Sequence, residues 1–307
     1  MTDSREEHDV IIIGGGPAGL TAGIYTARAR LDSLLVERGA VGGQIINTDW
    51  VENYPGIESV GGIELTAAMQ KQAEKFGLKV VIAAAAGLEV SGRSIIVKTT
   101  KGDFAAKAVI ISGGSERQKL GIPGEAEYTG KGVSYCATCD GAFFRDKEVA
   151  VAGGGNAAIT EALELTRFAS KVTVIHRRNE LRATRILQEK AFAEPKINIL
   201  WDTVIDEITG DTFVSQVRVH NVRTNEKSVL GVSGVFMAVG FKPNTDYLKD
   251  VVPLDPTGAV IVNDKMETSV AGIFAAGDIR SNSIRQVIAA AGDGAIAAVN
   301  AEKYISG

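Results

Sequence analysis

Cysteine is almost absent from this chain of 307 residues, which contains only Cys136 and Cys139. Histidine is nearly as scarce, with three residues that lie far apart in the sequence. A structural zinc site needs about four ligands, and these residues supply no second ligand pair at zinc spacing, so we expect no bound metal. A disulfide that closes so short a loop would add little stability, so the Cys-x-x-Cys spacing favours a redox dithiol.

Long apolar runs and an excess of basic residues are also missing. No apolar stretch reaches the ~20 residues needed to span a bilayer. The N-terminal stretch MTDSREEHDV lacks the basic start and apolar core of a signal peptide. The net charge is −4, whereas proteins that bind nucleic acid usually have a basic surface. We therefore expect a cytoplasmic protein that binds neither membranes nor nucleic acid.

Glycine is abundant, with 35 residues, and its clusters mark special backbone sites. The first cluster, residues 14–16, follows an apolar run at 10–13 and precedes a helix-forming stretch from Pro17 to about residue 29. A second apolar segment, 33–36, comes after that helix. This order of strand, glycine turn, helix and strand predicts a βαβ unit.

The first unit has the residues expected for dinucleotide binding. Gly14, Gly16 and Gly19 have a spacing that lets the backbone approach a pyrophosphate closely. The N terminus of the following helix adds free N–H groups and a favourable dipole. Glu37 lies 18 residues beyond Gly19, near the place of an acid that binds ribose hydroxyls.

A second unit repeats the pattern over strand 148–152, a glycine turn, a helix over 156–168 and strand 172–175. Its motif is Gly153-x-Gly155-x-x-Ala158. At the position that matches Glu37 it has the run His-Arg-Arg, residues 176–178. An acid would repel a ribose 2′-phosphate, whereas arginine binds one with bidentate hydrogen bonds. The pattern favours NADP over the alternative, a solvated basic surface.

Two further motifs carry side chains suited to redox chemistry. Asp140 directly follows the Cys-x-x-Cys segment and could donate or accept the proton that dithiol chemistry needs. The alternative is two small buried residues beside a surface aspartate. Gly277-Asp278 follows an apolar strand, and Arg285-Gln286-Val287 lies near the start of the last helix. A helix N terminus there would suit the N1/O2 edge of a reduced flavin, although Asp is also an ordinary helix cap.

The remaining pattern predicts an α/β fold in which one domain is inserted into another. We predict strands over 105–112, 197–207, 214–221, 235–239 and within 272–278, and a helix over 283–304. Residues 241–244 have the composition of a turn or linker. The chain would cross between the domains near 113–117 and 241–245. The predicted domains are therefore 1–116 with 245–307, and 117–244.

Together these residues resemble the low-molecular-weight, bacterial-type thioredoxin reductases of the class II pyridine nucleotide-disulfide oxidoreductases, over nearly the whole chain. The matching blocks, in order, are GGGPAGLTA (14–22), GGQ (42–44), ENYPG (52–56), CATCDGAFF (136–144), GGGNAA (153–158), HRRNELRA (176–183), FAAGD (274–278) and RQV (285–287). The departures are small. This chain has SGGS at 112–115, where relatives often have Thr-Gly-Ala, and NAA at 156–158, where other small residues occur.

The resemblance implies two Rossmann-like, three-layer ββα domains, with FAD bound by the discontinuous domain and NADPH by the inserted one. It implies a homodimeric flavoprotein in which Cys139 faces the flavin, Cys136 attacks thioredoxin and Asp140 is the acid. The expected FAD contacts are Gly14, Gly16, Pro17, Ala18, Gly19, Glu37, Gly43, Gln44, Asn53, Gly277, Asp278, Arg285, Gln286 and Val287. The expected NADP contacts are Gly153, Gly155, Asn156, Ala157, His176, Arg177, Arg178 and Arg182.

Three other functions compete with this interpretation. The flavoprotein component of a peroxide-reducing system carries extra N-terminal redox domains, but here the first glycine motif begins at residue 14. A ferredoxin–NADP reductase lacks the dithiol. A dinucleotide-binding redox sensor would bind both nucleotides without steady turnover of NADPH. A flavin spectrum and a thioredoxin-coupled disulfide assay distinguish these alternatives.

Overall fold

The computed structural model describes residues 6–48, 51, 53–248 and 250–307, without the side chain of Cys139. Its chain forms two compact units. The first unit consists of Met1–Glu116 and Lys242–Gly307, and the inserted unit consists of Arg117–Phe241. Within the described ranges, no helix has the length and apolar character needed to cross a membrane.

The structure contains the two predicted strand–turn–helix–strand units and, between and after them, further elements for which the sequence analysis made no prediction. The helices are α1 (Pro17–Arg28), α2 (Gly62–Lys75), α3 (Ala137–Asp140), α4 (Asn156–Leu165), α5 (Arg185–Ala193) and α6 (Val287–Ser306). The strands are β1 (Glu6–Ile13), β2 (Ser33–Glu37), β3 (Lys79–Ile82), β4 (Ala85–Ser91), β5 (Ser94–Thr99), β6 (Gly102–Ile111), β7 (Ser115–Arg117), β8 (Val133–Ser134), β9 (Glu148–Ala152), β10 (Lys171–Ile175), β11 (Ile197–Leu200), β12 (Thr203–Gly210), β13 (Val214–Asn221), β14 (Lys227–Gly231), β15 (Gly234–Met237), β16 (Phe241–Pro243) and β17 (Ile273–Ala275).

The first unit is built around a sheet with the order β3-β2-β1-β6, in which β17 also pairs with β6. These strands are parallel to one another. The sheet continues with β5, which pairs antiparallel with β6, and with β4, which pairs antiparallel with β5. Side chains of β1 alternate between two cores, because neighbouring strand residues point to opposite faces. Val10 and Ile12 pack with α1, α2 and α6, whereas Ile11 and Ile13 pack with β4 and β5. Burial on both faces explains the continuous apolar run.

The inserted unit repeats this arrangement. Its parallel sheet has the order β11-β10-β9-β15-β8, and a separate antiparallel sheet has the order β12-β13-β14. Val149 and Val151 of β9 pack against α4, while Ala150 and Ala152 face the antiparallel strands. Each unit therefore has helices on one face of a parallel sheet and antiparallel strands on the other. This confirms the predicted α/β fold of two three-layer ββα domains.

Four predicted elements were wrong in detail. The strand predicted over 197–207 is interrupted by a turn at Trp201 and Asp202, which separates β11 from β12. The segment predicted as a turn or linker at 241–244 contains the strand β16, which pairs with β7. Pro243 explains this, because a residue that precedes proline is restricted to extended backbone. The last helix begins at Val287 and not at Ser283, since Asn282 and Arg285 have φ angles of 58° and 55° that a right-handed helix excludes.

The helix predicted over 156–168 ends three residues early. α4 stops at Leu165, and the hydroxyl of Thr166 donates a hydrogen bond to the carbonyl of Leu163 at 2.7 Å. Such a local bond competes with the helical pattern. The three residues that follow form turns before β10 begins.

Helices α1 and α6 approach each other closely at one point. A Cβ atom added to Gly294 would overlap the carbonyl oxygen of Ala18 and would lie 2.9 Å from its carbonyl carbon. The same addition at Gly292, two residues earlier in α6, would meet no atom within 4 Å. Packing therefore requires a glycine at position 294 but not at position 292.

We expect Gly294→Ala to destabilise the first unit by about 1–3 kcal/mol, because the backbone of α1 cannot yield without repacking. Gly292→Ala is the matched control, and it should stabilise α6 by up to about 1 kcal/mol because alanine favours helix. When thermal unfolding is followed by circular dichroism, Gly294→Ala should have a lower apparent Tm than the parent protein. Gly292→Ala should have an equal or higher one. Equal shifts would contradict the close approach.

Candidate functional site

The first glycine turn lies at the carboxyl end of β1. Gly14 has φ of 109°, and an added Cβ would lie 2.5 Å from the carbonyl oxygen of Ser112. A Cβ on Gly19 would overlap the carbonyl oxygen of Gly14. At Gly16, the N-cap of α1, the nearest atom to an added Cβ would be Gly43 Cα at 3.8 Å. The turn is thus tight on its inner side and open where a pyrophosphate would approach the helix N terminus.

Glu37 lies at the end of β2, next to this turn. Its Oε2 accepts a hydrogen bond from the Gly15 N–H at 2.7 Å, and its Oε1 accepts one from the Gly39 N–H at 2.9 Å. A carboxylate has about four lone-pair sites, so both oxygens can accept further bonds. The geometry suits an acid that binds ribose hydroxyls beside the turn.

Further residues expected near a flavin come from distant parts of the chain. The amide Nδ2 of Asn53 donates a hydrogen bond to Gln286 Oε1 at 2.9 Å, across more than 230 residues. Asp278 lies in a short 3₁₀ helix, and its Oδ1 accepts a bond from the Ser283 hydroxyl at 2.8 Å. Burial raises the pKa of Asp278, and the bond from Ser283 and the charge of Arg285 oppose the rise.

The other expected FAD contacts lie at the ends of helices. Pro17 and Ala18 form the first turn of α1, and Val287 is the first residue of α6. Gly43 and Gln44 begin a 3₁₀ helix over Gly43–Asn47.

A buried ion pair that the sequence reasoning missed supports the turn at Asp278. Arg280 donates from Nε to Asp293 Oδ2 at 2.6 Å and from Nη2 to Oδ1 at 3.0 Å. The Gly277 N–H also donates to Asp293 Oδ2, at 3.1 Å. Asp293 is a single acid within the apolar stretch of α6. Its isolation in that stretch was a signal that it has a specific partner.

The second glycine turn rests on a buried histidine. A Cβ on Gly154 would lie 2.5 Å from Cγ of the His176 ring, so the ring packs directly against the turn. The Nε2 atom of His176 is 2.9 Å from the carbonyl oxygen of Glu180. Burial lowers the pKa of His176, and the charges of Arg182, Arg178 and Arg177 lower it further.

The basic loop 176–184 is tied to the start of α4. The Arg182 N–H donates to the Gly154 carbonyl at 2.7 Å, and the Thr184 N–H donates to Asn156 Oδ1 at 2.7 Å. All three arginine side chains, at 177, 178 and 182, are exposed. Gly155 is the N-cap of α4, and a Cβ there would meet nothing within 4 Å. The structure therefore gathers three cations beside an open helix N terminus.

The dithiol segment lies at the end of β8, in the same unit. Cys136 is disulfide-bonded. Cys139 belongs to α3, and its side chain lies outside the described residues. Asp140, the last residue of α3, has its Oδ2 2.6 Å from the hydroxyl of Ser134. That hydroxyl also accepts a hydrogen bond from the Cys136 N–H at 3.1 Å.

Glu125, a buried acid, forms hydrogen bonds to the segment that precedes the cysteines. The Glu125 carboxylate accepts bonds from the Gly121 N–H at 2.7 Å, the Leu120 N–H at 3.2 Å and the Tyr135 hydroxyl at 2.9 Å. Burial and the bond to Glu125 raise the pKa of Tyr135 to about 12. Glu125 thus fixes the loop at 120–125 to the residue next to Cys136.

Glu161 on α4 is a half-buried acid whose charge has only a distant partner. Its Oε1 is 3.9 Å from Arg117 Nη1, and its buried Oε2 has no hydrogen-bond partner in the described part of the chain. Burial raises the pKa of Glu161 to about 7, and the charge of Arg117 limits the rise. Burial also lowers the pKa of Arg117, opposed by the charges of Glu161 and Asp140. Sequence reasoning did not single out Glu161, because only packing separates it from the surface acids of α4.

The raised pKa of Glu161 predicts a pH-dependent loss of stability. Because the pKa of Glu161 is about 7 in the folded protein and lower in the unfolded chain, the free energy of unfolding falls as pH rises from the unfolded to the folded pKa. The full loss is about 3 kcal/mol. Glu161→Gln should therefore match the parent Tm at pH 5 and exceed it at pH 8. Glu164→Gln on the same helix, which breaks a surface pair with Arg167, is the control and should shift Tm alike at both values. An equal shift for Glu161→Gln would exclude the buried charge.

Comparison with known proteins agrees with this geometry. Residues 8–294 match the family model described as pyridine nucleotide-disulphide oxidoreductase. The thioredoxin reductase of Peptoclostridium litorale is 48% identical over 305 residues, 97% of each chain. That of Bacillus subtilis is 47% identical over 299 residues, 97% of this chain and 95% of the other.

Solved structures give the same result. The crystal structure of thioredoxin reductase from Streptococcus pyogenes has 46% identity and a TM-score of 0.82, and the match covers 99% of both chains. These findings confirm the resemblance that the motifs indicated. The chain belongs to the pyridine nucleotide-disulphide oxidoreductase family and, within it, to the thioredoxin reductases.

Proposed function

We propose that this chain is a flavoprotein disulfide reductase, which passes electrons from NADPH through FAD to the Cys136–Cys139 disulfide and on to thioredoxin. The observation that carries the proposal is in the inserted unit. There, one compact unit holds both an arginine-rich nucleotide site and a disulfide-bonded Cys136 next to Asp140. The relatives at 47–48% identity are named thioredoxin reductases, which favours thioredoxin as the disulfide substrate.

FAD fits the first unit, and we assign it to a domain of residues 1–116 and 245–307. The open face at Gly16 leaves room for a pyrophosphate at the N terminus of α1, and Glu37 can bind ribose hydroxyls. Asp278, which Ser283 and the nearby ion pair hold in place, would face the flavin ring system. When bound, FAD supplies a two-electron carrier between NADPH and the disulfide.

NADPH fits the domain of residues 117–244. The pyrophosphate would bind at Gly155, Asn156 and Ala157, where α4 begins. Arg177, Arg178 and Arg182 would pair with the 2′-phosphate. His176 supports this site from beneath, because its buried ring contacts the glycine turn. We therefore assign His176 to positioning the loop and not to direct contact with the phosphate.

The overall reaction oxidises one NADPH, reduces one disulfide to two thiols and takes up one proton. The Cys136 thiolate forms a bond to one sulfur of the partner disulfide, whose other sulfur leaves as a thiolate and takes a proton. Attack by the Cys139 thiolate on Cys136 then restores the internal disulfide and releases the second sulfur of the partner. Asp140 is the acid that supplies protons to departing sulfurs, and solvent replaces them.

The family relationship also suggests the working form of the protein. We infer a homodimer that acts in the cytoplasm, where reducing conditions keep thioredoxin in use. Size-exclusion chromatography with light scattering measures the first property directly. A protein that stays monomeric at micromolar concentration would contradict it.

The arginine cluster predicts a preference for NADPH over NADH. Charge-assisted hydrogen bonds contribute about 1.5–3 kcal/mol each, and about 1.4 kcal/mol corresponds to tenfold. Since the arginines are exposed, solvent screening weakens their effect. We therefore expect kcat/KM for NADPH to exceed that for NADH by roughly 10²-fold. A variant with Arg177→Ala and Arg178→Ala should lose most of the preference through KM for NADPH.

Arg167→Ala is the control for this experiment. It removes an exposed arginine that lies beyond the far end of α4 and pairs with Glu164. It should leave the nucleotide preference unchanged. Equal kcat/KM for NADPH and NADH in the parent protein would refute the assignment of the site.

The proposed function is tested by thioredoxin reduction in the purified protein, which should be yellow with about one FAD per chain. Cys136→Ser and Cys139→Ser should each abolish NADPH-dependent reduction of thioredoxin but retain reduction of ferricyanide, which needs no dithiol. Asp140→Asn should slow thioredoxin reduction by about 10²–10⁴-fold. Thr138→Ser, between the cysteines, is the matched control and should remain active.

Two outcomes would overturn the proposed function. One is a colourless protein that cannot be reconstituted with FAD. The other is normal thioredoxin turnover in either cysteine variant, because the mechanism requires both sulfurs.

A further inference from the structure

We propose that Ser134 is a positioning residue of the dithiol site, which holds the carboxyl group of Asp140 in place beside Cys136. The inference rests on the proposed function, since it takes Asp140 as the acid of that reaction. It concerns how the acid is aimed, and it names a residue outside the Cys-x-x-Cys-Asp motif.

Ser134 lies in the parallel sheet of the inserted unit. It is the last residue of β8, which pairs in parallel with β15, and only 4% of its surface is exposed. Its hydroxyl lies 2.6 Å from Asp140 Oδ2 and accepts a hydrogen bond from the Cys136 N–H at 3.1 Å. The side chain therefore joins the backbone of the first cysteine to the carboxyl group.

The direction of the serine proton follows from the distances. A hydroxyl donates one hydrogen bond, and two oxygens compete for it, Asp140 Oδ2 at 2.6 Å and the Cys136 carbonyl at 3.3 Å. The carboxylate is nearer and carries charge, and charge-assisted bonds are shorter and stronger. The Cys136 carbonyl already accepts the Asp140 N–H at 3.1 Å. The hydrogen bonds thus run from the Cys136 N–H through the Ser134 hydroxyl to Asp140 Oδ2.

This arrangement decides which oxygen carries the proton that is transferred. While Oδ2 accepts the hydrogen bond from Ser134, the acidic proton of a neutral Asp140 resides on Oδ1. In the transfer the O–H bond at Oδ1 breaks, an S–H bond forms on the departing thiolate, and Ser134 neither gains nor loses a proton. With Oδ2 held, the carboxyl group keeps one orientation throughout turnover, and such preorganisation accelerates proton transfer.

Asp140 also interacts electrostatically with a charged group, without a hydrogen bond. Arg117 is close enough for mutual electrostatic attraction with Asp140, and Glu161 shares that arginine. Within the described residues, neither Arg117 nor Glu161 forms a hydrogen bond to Asp140 that would fix the orientation of its carboxyl group. Ser134 alone, among the contacts of the described side chains, supplies that bond to Asp140.

The test is a double-mutant cycle between Ser134 and Asp140. Ser134→Ala should lower kcat for thioredoxin about tenfold, the size expected for one charge-assisted hydrogen bond. In the Asp140→Asn background the same change should cost less than twofold, because the acid it positions is gone. Ser134→Thr keeps the hydroxyl and should retain most of the activity.

Controls separate positioning from a general structural role. Thr173→Val removes another buried hydroxyl from the same parallel sheet, on β10, and should leave kcat unchanged. NADPH-dependent reduction of ferricyanide should be the same in all variants, since it bypasses the dithiol. Tm measured by circular dichroism identifies any variant that has lost its fold. The double-mutant cycle uses only Ser134→Ala and Asp140→Asn, so it remains valid if Ser134→Thr fails to fold.

The possible results lead to distinct conclusions. A parent-like rate for Ser134→Ala, or an equal tenfold loss in both backgrounds, would overturn the proposal. The cycle is run with the small disulfide 5,5′-dithiobis(2-nitrobenzoate) as well as with thioredoxin. The two substrates separate a failure of the Ser134 proposal from a failure of the proposed function. If the parent reduces only the small disulfide, the thioredoxin assignment fails and the cycle still tests Ser134. If the parent reduces neither disulfide, both proposals fall.

Discussion

Both units depend on the same constraint, a helix that starts directly at the end of a strand with no side chain between them. In the first unit, an added Cβ on Gly19 would overlap the Gly14 carbonyl oxygen. In the inserted unit, the His176 ring fills the space that a side chain on Gly154 would need. This close approach aims a helix N terminus at the carboxyl edge of each sheet, where phosphates bind favourably. The nucleotide chemistry follows from that backbone geometry.

The acids of the two units differ in their burial and in their hydrogen-bond partners. Asp293 is paired with Arg280 and supports a turn, whereas Glu37 keeps lone pairs available beside the first glycine turn. Glu161 has only a distant arginine, so desolvation dominates and its pKa rises. The carboxyl group of Asp140 accepts a hydrogen bond from the Ser134 hydroxyl. These acids cannot be told apart by residue type, and they differ in the burial and the hydrogen bonds that the fold gives each of them.

Local patterns predicted much of the architecture because the apolar patterns of strands and helices each repeat within a few residues. The apolar run of β1 and the glycine turn after it are read within a dozen residues. The same reading failed at residues 283–286, where the alanine-rich pattern of α6 suggested an earlier start. There Arg285 adopts a left-handed backbone conformation and Ser283 bonds to Asp278. Helix boundaries depend on such tertiary contacts, which leave little trace in residue type.

The sequence by itself determined the chemistry of this protein, because that chemistry depends on residue identity and short spacing. The two glycine motifs, the Cys-x-x-Cys-Asp segment and the basic run after the second unit are all contiguous in the chain. Only the tertiary structure decided which residues support them. Ser134 and Asp140 are only six residues apart, but their contact depends on how the chain passes from β8 into α3. Asn53 meets Gln286 because segments more than 230 residues apart pack together. That second contact forms when distant apolar surfaces are buried, and no local pattern encodes it.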